Sequence, residues 1–203
     1  MLPVTLTAVI LLGAFHGINP AMGWLFAVAR GLQERSRDRL LQSLPVIALG
    51  HLASVALVAL VVGATGSLVT GTALSIGAGV VLVAFGLWRL LSKRHFRWVG
   101  MRLSLGQLAA WSFLMSSAHG AGLMLLPVLT RIPAGHHGHA LSGGLFVAGV
   151  HTLAMFLTAG AVALVVYEFA GLAILRRAWF NLDRMWAAAL VGAGVVTLVQ
   201  ATW

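Results

Sequence analysis

The chain is divided into six apolar stretches by short segments that carry charges or glycines. The stretches cover residues 4–29, 41–64, 69–90, 105–130, 140–167 and 186–202. A helix of about 20 apolar residues is long enough to cross the hydrocarbon core of a bilayer. Because 60% of the 203 residues are hydrophobic and only 8% are charged, little chain is left for a soluble domain. We therefore predict an all-α polytopic membrane protein with six transmembrane helices in a single transmembrane domain, residues 1–203. No basic residue precedes the first stretch, which is expected to be a span rather than a signal peptide.

The distribution of basic residues predicts how the six helices are oriented. Of the 13 lysines and arginines, all but Arg131 lie in the first, third and fifth connecting segments or, as Arg89 does, at the end of the stretch before one of them. Segments rich in lysine and arginine stay cytoplasmic, so both termini are expected outside, in a bacterial cytoplasmic membrane. The net charge of +9 is then explained by topology, and the expected partner is the lipid bilayer rather than nucleic acid. The seven tryptophans lie mostly near stretch ends and are expected to form interfacial aromatic belts.

Four apolar stretches each contain a histidine in an otherwise nearly hydrocarbon neighbourhood. These histidines are His16, His51, His119 and His151. An ionisable side chain at membrane depth is costly, so it usually faces a partner, a cavity or a substrate. Because the four histidines lie at similar depth, they are predicted to form one shared site.

The two halves of the chain resemble each other around these histidines. The first half contains AFHGINPAM around His16, and the second contains SAHGAGLM around His119. A lone histidine follows in the next stretch of each half, 35 residues later (16 to 51) and 32 residues later (119 to 151). Each half has three spans, so the second half must insert upside down. We predict a 3+3 inverted repeat, about 1–92 and about 103–203, with its site near the midplane between the halves.

Prolines close to the first histidine of each half predict broken helices near the midplane. Pro20 lacks the N–H that would bond the carbonyl of His16, and Pro127 similarly frees the carbonyl of Leu123. Asn19 is expected on the same helix face as His16. Broken helices of this kind line the central sites of many transporters. The residues expected to contact the substrate at the breaks are Gly17, Asn19, Pro20 and Gly120.

The residue types available near the histidines restrict what the site binds. No aspartate or glutamate lies near the centre of a stretch, and the chain has no cysteine. Sodium, calcium and magnesium prefer carboxylate oxygens, whereas neutral imidazole suits zinc, copper, nickel, cobalt or iron. We therefore predict a transporter whose substrate is a transition-metal ion, with the four histidines as ligands. Nearby thioethers that suit Cu(I) are those of Met22, Met115, Met124 and Met155. A short histidine tract, predicted to lie outside, adds a metal-binding signal with His136, His137 and His139.

Other functions stay open at this point. A small anion or zwitterion is a possible substrate, because protonated histidines and a helix N-terminus near the midplane favour negative charge. Histidine pairs on neighbouring helices also suit a haem-binding redox protein. A metal-centre enzyme or an accessory subunit is a further alternative, although an enzyme is not expected. A homodimer is compatible with the small residues of the third and sixth stretches, Gly77, Gly79, Gly192 and Gly194.

The six stretches, the repeat and the HGINP segment together resemble the lysine-exporter superfamily. This superfamily includes nickel/cobalt-efflux proteins, cadmium-resistance transporters, thiol-redox carriers and urease-accessory-like membrane proteins. The resemblance covers the whole chain in architecture, and in motif it covers AFHGINPAM and SAHGAGLM. It implies a transporter with a central site but no particular substrate. The nickel/cobalt branch has carboxylates where Ile18 and Asn19 follow Gly17, and the thiol-redox branch has paired cysteines that this chain lacks.

Overall fold

A computed structural model describes residues 3–65, 71–91, 103–129 and 137–169, together with positions 191–192, 194–195 and 198–199. These parts of the chain contain seven α-helices, two 3₁₀ turns and no strand, so the all-helical fold class is confirmed for them. The helices are α1 Pro3–Ile18, α2 Trp24–Gln33, α3 Arg37–Thr65, α4 Gly71–Leu91, α5 Leu105–Ala118, α6 Leu126–Leu129 and α7 His137–Phe169. The 3₁₀ turns are Pro20–Met22 and Leu123–Leu125, and the described positions beyond 190 are helical.

Two helices are long and apolar enough to cross a membrane, and a third span is formed if one bent pair is counted. The two helices are Arg37–Ala64 and Leu141–Phe169, and the pair is Leu105–Ala118 with Leu123–Leu129, bent by 50°. Shorter apolar helices cover Thr5–Ile18 and Gly79–Trp88. Large apolar side chains are exposed on the outside of the bundle, as Leu57 of α3 and Leu157 of α7 are, which fits lipid contact. The described residues are thus compatible with a membrane protein.

The helix α1 packs closely along α7 because two glycines on α1 remove the side chains between them. A Cβ atom on Gly13 would overlap the carbonyl oxygen of His151, and one on Gly17 would lie 2.5 Å from the carbonyl oxygen of Met155. Small residues four positions apart allow helices to approach at backbone distance. Because residues 13 and 17 match residues 151 and 155 in order, α1 and α7 run parallel.

The helices α3 and α5 form a second parallel pair. The hydroxyl of Ser112 donates to the carbonyl of Ile47 (2.7 Å), and the hydroxyls of Ser54 and Ser117 lie 2.9 Å apart. Gly50 of α3 again allows close approach, this time to the backbone of α5. Residue 47 contacts residue 112 and residue 54 contacts residue 117, so the residue numbers increase in the same direction along both helices. The helices α3 and α5 are therefore parallel.

The helices α3 and α7 cross at the centre and run antiparallel. Gly63, near the end of α3, packs against Leu141 near the start of α7, whereas Gly160 packs against Leu44 near the start of α3. Since α1 is parallel to α7 and α5 is parallel to α3, α1 and α5 run in opposite directions. The first helices of the two predicted halves therefore have opposite orientations within one bundle.

The break in the first apolar stretch is present, but its hydrogen bonding differs from the prediction. The helix α1 ends at Ile18, and a 3₁₀ turn begins at Pro20. The carbonyl of His16, predicted to be free, accepts the backbone N–H of Asn19 at 3.1 Å. The prediction was wrong because the chain tightens to i→i+3 bonding at this point. The N–H of Asn19 therefore donates to the carbonyl to which Pro20, without an N–H, cannot donate.

The break in the second half lies upstream of the predicted proline. The helix α5 ends at Ala118, and a turn follows in which Gly120 has a φ of +69°. Pro127 is the second residue of α6, where a missing N–H costs nothing. The carbonyl of Leu123, predicted to be free, accepts the backbone N–H of Leu126. A left-handed glycine, rather than the proline, redirects this chain.

The glycines that suggested a homodimer are divided between two environments. Gly79 of α4 and Gly194 face each other within one chain, because a Cβ atom on Gly194 would lie 2.9 Å from the carbonyl oxygen of Gly79. Among the described residues, nothing lies within 4 Å of a Cβ atom on Gly77 or Gly192. Half of this set therefore packs the third and sixth predicted stretches together and is unavailable for contact between chains.

Candidate functional site

Three of the four predicted histidines converge at the centre of the bundle. The ring centroids of His16 and His151 lie 4.9 Å apart, those of His51 and His151 5.4 Å, and those of His16 and His51 5.6 Å. All three side chains are completely buried. His51 lies 14 residues from each end of α3 (37 to 51 and 51 to 65), so the group is far from both ends of that helix. We call His16, His51 and His151 the histidine triangle.

The first histidines of the two halves have the same local hydrogen bond. The Nδ1–H of His16 donates to the carbonyl of Leu12, and the Nδ1–H of His119 donates to the carbonyl of Met115, each at 2.9 Å and each to the residue four positions earlier. A carbonyl only accepts, so both imidazoles carry their proton on Nδ1 and have the lone pair on Nε2 when neutral. His119 is 2% exposed at the break after α5.

The other two histidines are oriented by the opposite half of the chain. The Nδ1–H of His151 donates to the carbonyl of Val9 (3.3 Å), and the Nδ1 of His51 lies 2.6 Å from the hydroxyl oxygen of Ser116. The Nε2 atoms of His51 and His151 are buried and have no hydrogen-bond partner among the described residues. Hydrogen bonds at Nδ1 that leave Nε2 as the ligand atom are typical of metal-binding histidines.

The relative orientation of the rings is not that of an assembled metal site. The rings of His51 and His151 are stacked at 18°, and the ring of His16 meets them edge-on at 63° and 73°. Imidazole lone pairs lie in the ring plane, so two stacked rings direct them side by side rather than to one point. Within the described parts of the chain, no group of three or more histidines, aspartates and glutamates is arranged to hold a metal ion.

The residues predicted to contact a substrate have several roles. Asn19 is 1% exposed, and its side-chain oxygen caps the 3₁₀ turn by accepting the N–H of Ala21 (2.9 Å). Its Nδ2 is buried and has no partner among the described residues, so this amide remains available to a ligand. Gly17 instead provides the contact with α7. Pro20 and Gly120 are buried and shape the two breaks.

Two tryptophans hold the first break in place. The indole N–H of Trp24 donates to the carbonyl of Ile18, and that of Trp111 donates to the carbonyl of Ala21, each at 3.2 Å. Trp24 is 4% exposed and Trp111 is 8% exposed. These two tryptophans are thus buried inside the bundle, and each donates to a carbonyl that has no helical partner at the break.

Ser116 is the site residue that the sequence reasoning missed. It is completely buried on α5 and contacts His51 across 65 positions of sequence. The available signal was the serine pair Ser116 and Ser117, which interrupts an apolar stretch shortly before His119. A buried hydroxyl in such a stretch requires a partner, and here the partner is the imidazole of the other half.

The outer histidine tract is described in part. His137 begins α7 and His139 lies in its first turn, whereas His136 lies outside the described residues. The helix α7 thus begins at His137, within the histidine tract, rather than at the predicted position 140.

No protein-family model, no curated protein and no solved structure matches this chain. Function is therefore inferred from the contacts within the chain itself.

Proposed function

We propose that this chain is an integral membrane transporter that carries a transition-metal ion past the histidine triangle. In this proposal, six transmembrane helices form a 3+3 inverted repeat with its site at the midplane, as in the lysine-exporter superfamily. The observation that carries the proposal is the convergence of three completely buried histidines from α1, α3 and α7 next to a broken helix.

The contacts between helices support the inverted repeat. In the predicted repeat, α1 corresponds to α5 and α3 corresponds to α7. The parallel pair of α1 with α7 therefore corresponds to the parallel pair of α5 with α3. The corresponding helices α1 and α5 run in opposite directions, as an inverted repeat requires. Aligning His16 with His119 also aligns Gly13 with Ser116. Gly13 packs against the backbone of His151, and Ser116 contacts the side chain of His51, so each position meets the lone histidine of the other half.

The backbone breaks support a site at membrane depth. Non-helical backbone inside a bilayer is tolerated where it is buried in protein or lines a cavity. The turn Pro20–Met22 is buried, and Trp111 of the other half donates to its Ala21 carbonyl. Transporters with inverted repeats commonly place their substrate beside such breaks.

The chemistry of the donors supports a transition-metal ion. Among the described residues, the buried polar side chains are those of histidine, asparagine, serine and threonine, so carboxylates for a hard cation are lacking there. A metal–nitrogen distance of about 2.0–2.1 Å and a tetrahedral angle place the centroids of two ligating rings roughly 5 Å apart. The observed separations of 4.9–5.6 Å fit this spacing, and binding would require the rings to turn out of their stacked and edge-on arrangement.

The two alternatives fit the histidine triangle less well. A haem bound by a histidine pair needs its macrocycle between the two rings, and rings in edge-on or stacked contact leave no space for it. An anion would require protonated imidazoles. Placing several positive charges within 5.6 Å of one another in an apolar interior is costly before the anion arrives.

Reconstitution into liposomes tests the proposal. Entry of Zn²⁺, Ni²⁺, Co²⁺, Fe²⁺ and, under reducing conditions, Cu(I) would be followed with a metal-sensitive dye in the lumen. His51→Asn keeps a polar atom facing Ser116 but removes Nε2, and His151→Asn does the same on α7. His95→Asn, in a predicted connecting segment outside the described residues, is the matched control.

We expect at least one ion to enter with the wild-type protein and with the His95 variant. The two triangle variants are expected to lose transport while eluting as the same species in detergent. Absence of transport by the wild-type protein for every ion, or wild-type transport by both triangle variants, would overturn the proposal.

A further inference from the structure

The histidine triangle is closed in this conformation. The Nε2 atoms of His51 and His151 are buried and have no hydrogen-bond partner among the described residues. His51 lies on α3 and His151 lies on α7, and their rings are stacked with centroids 5.4 Å apart. A substrate can reach these atoms only if helices around them separate, and the packing of the bundle indicates which helices can do so.

The helices α1 and α7 are in contact at backbone distance. A Cβ atom on Gly13 would overlap the carbonyl oxygen of His151, and one on Gly17 would lie 2.5 Å from the carbonyl oxygen of Met155. The Nδ1–H of His151 also donates to the carbonyl of Val9 on α1. Helices that meet through glycines in this way have their backbones interlocked, so separating them would break contacts along their whole length.

The helices α3 and α5 are interlocked in the same way. A Cβ atom on Gly50 would overlap the carbonyl oxygen of Ala109 on α5. The hydroxyl of Ser112 on α5 donates to the carbonyl of Ile47 on α3 at 2.7 Å. The bundle thus contains two closely packed pairs, α1 with α7 and α3 with α5.

The two pairs meet each other through looser contacts between α3 and α7. A Cβ atom on Gly63 would lie 3.1 Å from the Cδ2 of Leu141, which is the end of a flexible side chain. One on Gly144 would lie 3.4 Å from the Cβ of Ala59, an ordinary van der Waals distance. We call this contact, which runs from Leu44 and Gly160 at one end to Gly63 and Leu141 at the other, the α3–α7 seam.

The seam divides the histidine triangle. His16 and His151 lie on one pair of helices, and His51 lies on the other. Opening the seam would therefore separate His51 from His151 and expose their Nε2 atoms. An exposed ion pair, Arg37 with Glu168 at 3.9 Å, also crosses the seam, and exposed ion pairs of this kind contribute little to stability.

The first helix break lies where the chain passes from one pair to the other. The indole N–H of Trp111 on α5 donates to the carbonyl of Ala21 in the turn Pro20–Met22. Beyond the break, Glu34 at the end of α2 forms an ion pair with Arg39 of α3 at 3.0 Å. The break therefore allows α1 to belong to one pair while the segment after it is bound to the other.

We propose that the α1–α7 pair and the α3–α5 pair move as two rigid units, and that the site opens along the α3–α7 seam. Each unit contains one helix from each half of the predicted repeat, so the moving parts differ from the two halves of the sequence. This inference rests on the proposed function of a transporter and names how its site opens. Rocking of one bundle against another around a fixed site opens each side of the site in turn.

Disulfide cross-links test the inference, because the chain has no cysteine of its own. Ala59→Cys/Gly144→Cys places a pair across the seam, where the Cβ separation of 3.4 Å is close to the usual range of about 3.5–4.5 Å in disulfides. Ser54→Cys/Ser117→Cys is the matched control within the α3–α5 pair, since these hydroxyl oxygens lie 2.9 Å apart. Both variants would be reconstituted into liposomes and assayed for metal entry after oxidation and again after reduction.

We expect both reduced variants to transport as the wild-type protein does. Oxidation is expected to stop transport in the cross-seam variant, reversibly, and to leave transport in the control variant unchanged. Unchanged transport in the oxidised cross-seam variant, or loss of transport in the oxidised control, would overturn the assignment of the two units.

Spin-label distances provide a second measurement that requires no transport. Leu49 on α3, Leu114 on α5 and Leu153 on α7 are exposed, so labels there do not disturb the core. We expect Leu49→Cys/Leu114→Cys to give one narrow distance, and Leu49→Cys/Leu153→Cys to give two distances or one that shifts when metal is added. A single unchanging distance for the second pair would overturn the seam. If the wild-type protein transports no metal ion, the proposed function fails, and these distances still decide whether the two units move.

Discussion

Replacing Gly17 by alanine tests whether the close contact between α1 and α7 builds the histidine triangle. A Cβ atom at this position would lie 2.5 Å from the carbonyl oxygen of Met155, 2.7 Å from the Cβ of Thr158 and 2.9 Å from the backbone nitrogen of Ala159. None of these atoms is the end of a flexible side chain. The helices must therefore separate by about 0.9 Å, the difference between an ordinary contact of 3.4 Å and 2.5 Å.

This displacement has consequences for stability and for the site. Overpacking of this kind typically lowers the free energy of unfolding by about 1–3 kcal/mol, partly offset by about 0.5–1 kcal/mol because alanine favours helix over glycine. His16 precedes Gly17 directly, and its ring lies 4.9 Å from that of His151. Metal sites tolerate about 0.2 Å in ligand distance, so a shift several times larger is expected to weaken the metal binding that we propose for the histidine triangle.

The measurement is thermal unfolding in detergent, followed by tryptophan fluorescence, together with metal titration. Gly149→Ala is the matched control, because it also lies in a helix of the pair but its Cβ would meet nothing within 4 Å among the described residues. We expect Gly17→Ala to lose stability and metal affinity, and Gly149→Ala to keep both. If the two variants behave alike, α1 and α7 do not pack as described.

Three further predictions concern the partners of the site and the topology. Ser116→Ala leaves the Nδ1 of buried His51 without its partner and is expected to lower the free energy of unfolding by about 1–3 kcal/mol, measured by thermal unfolding. Ser117→Ala, at an exposed position, is the control and is expected to lower it by about 1 kcal/mol or less. Equal losses would contradict the role of Ser116. Trp111→Phe removes the hydrogen bond to the carbonyl of Ala21 and is expected to lower the free energy of unfolding by about 0.5–1.5 kcal/mol; a neutral result would show that the break is held by other contacts. Reporter tags on the two termini are expected to be accessible outside the cell, and cytoplasmic tags at both ends would refute the predicted orientation.

Helix positions could be predicted well wherever apolar length decided them. The predicted stretch 41–64 falls within Arg37–Thr65, and the stretch 140–167 falls within His137–Phe169. The breaks were harder to place. Pro127 indicated a break that lies instead at Gly120, because a proline in a first helical turn causes no disruption while a left-handed glycine ends a helix.

The sequence by itself determined the all-helical class, the depth of each histidine along its apolar stretch and the absence of cysteine. These are one-dimensional properties, set by hydrophobic length and residue type. Only the tertiary structure decided that His16, His51 and His151 are in ring contact, and that Gly17 serves helix packing. It also decided which hydroxyl reaches which imidazole, since such pairs lie up to 65 positions apart and depend on how helices cross. Apolar length is a local property, whereas the direction of a ring nitrogen depends on backbone contacts between distant helices.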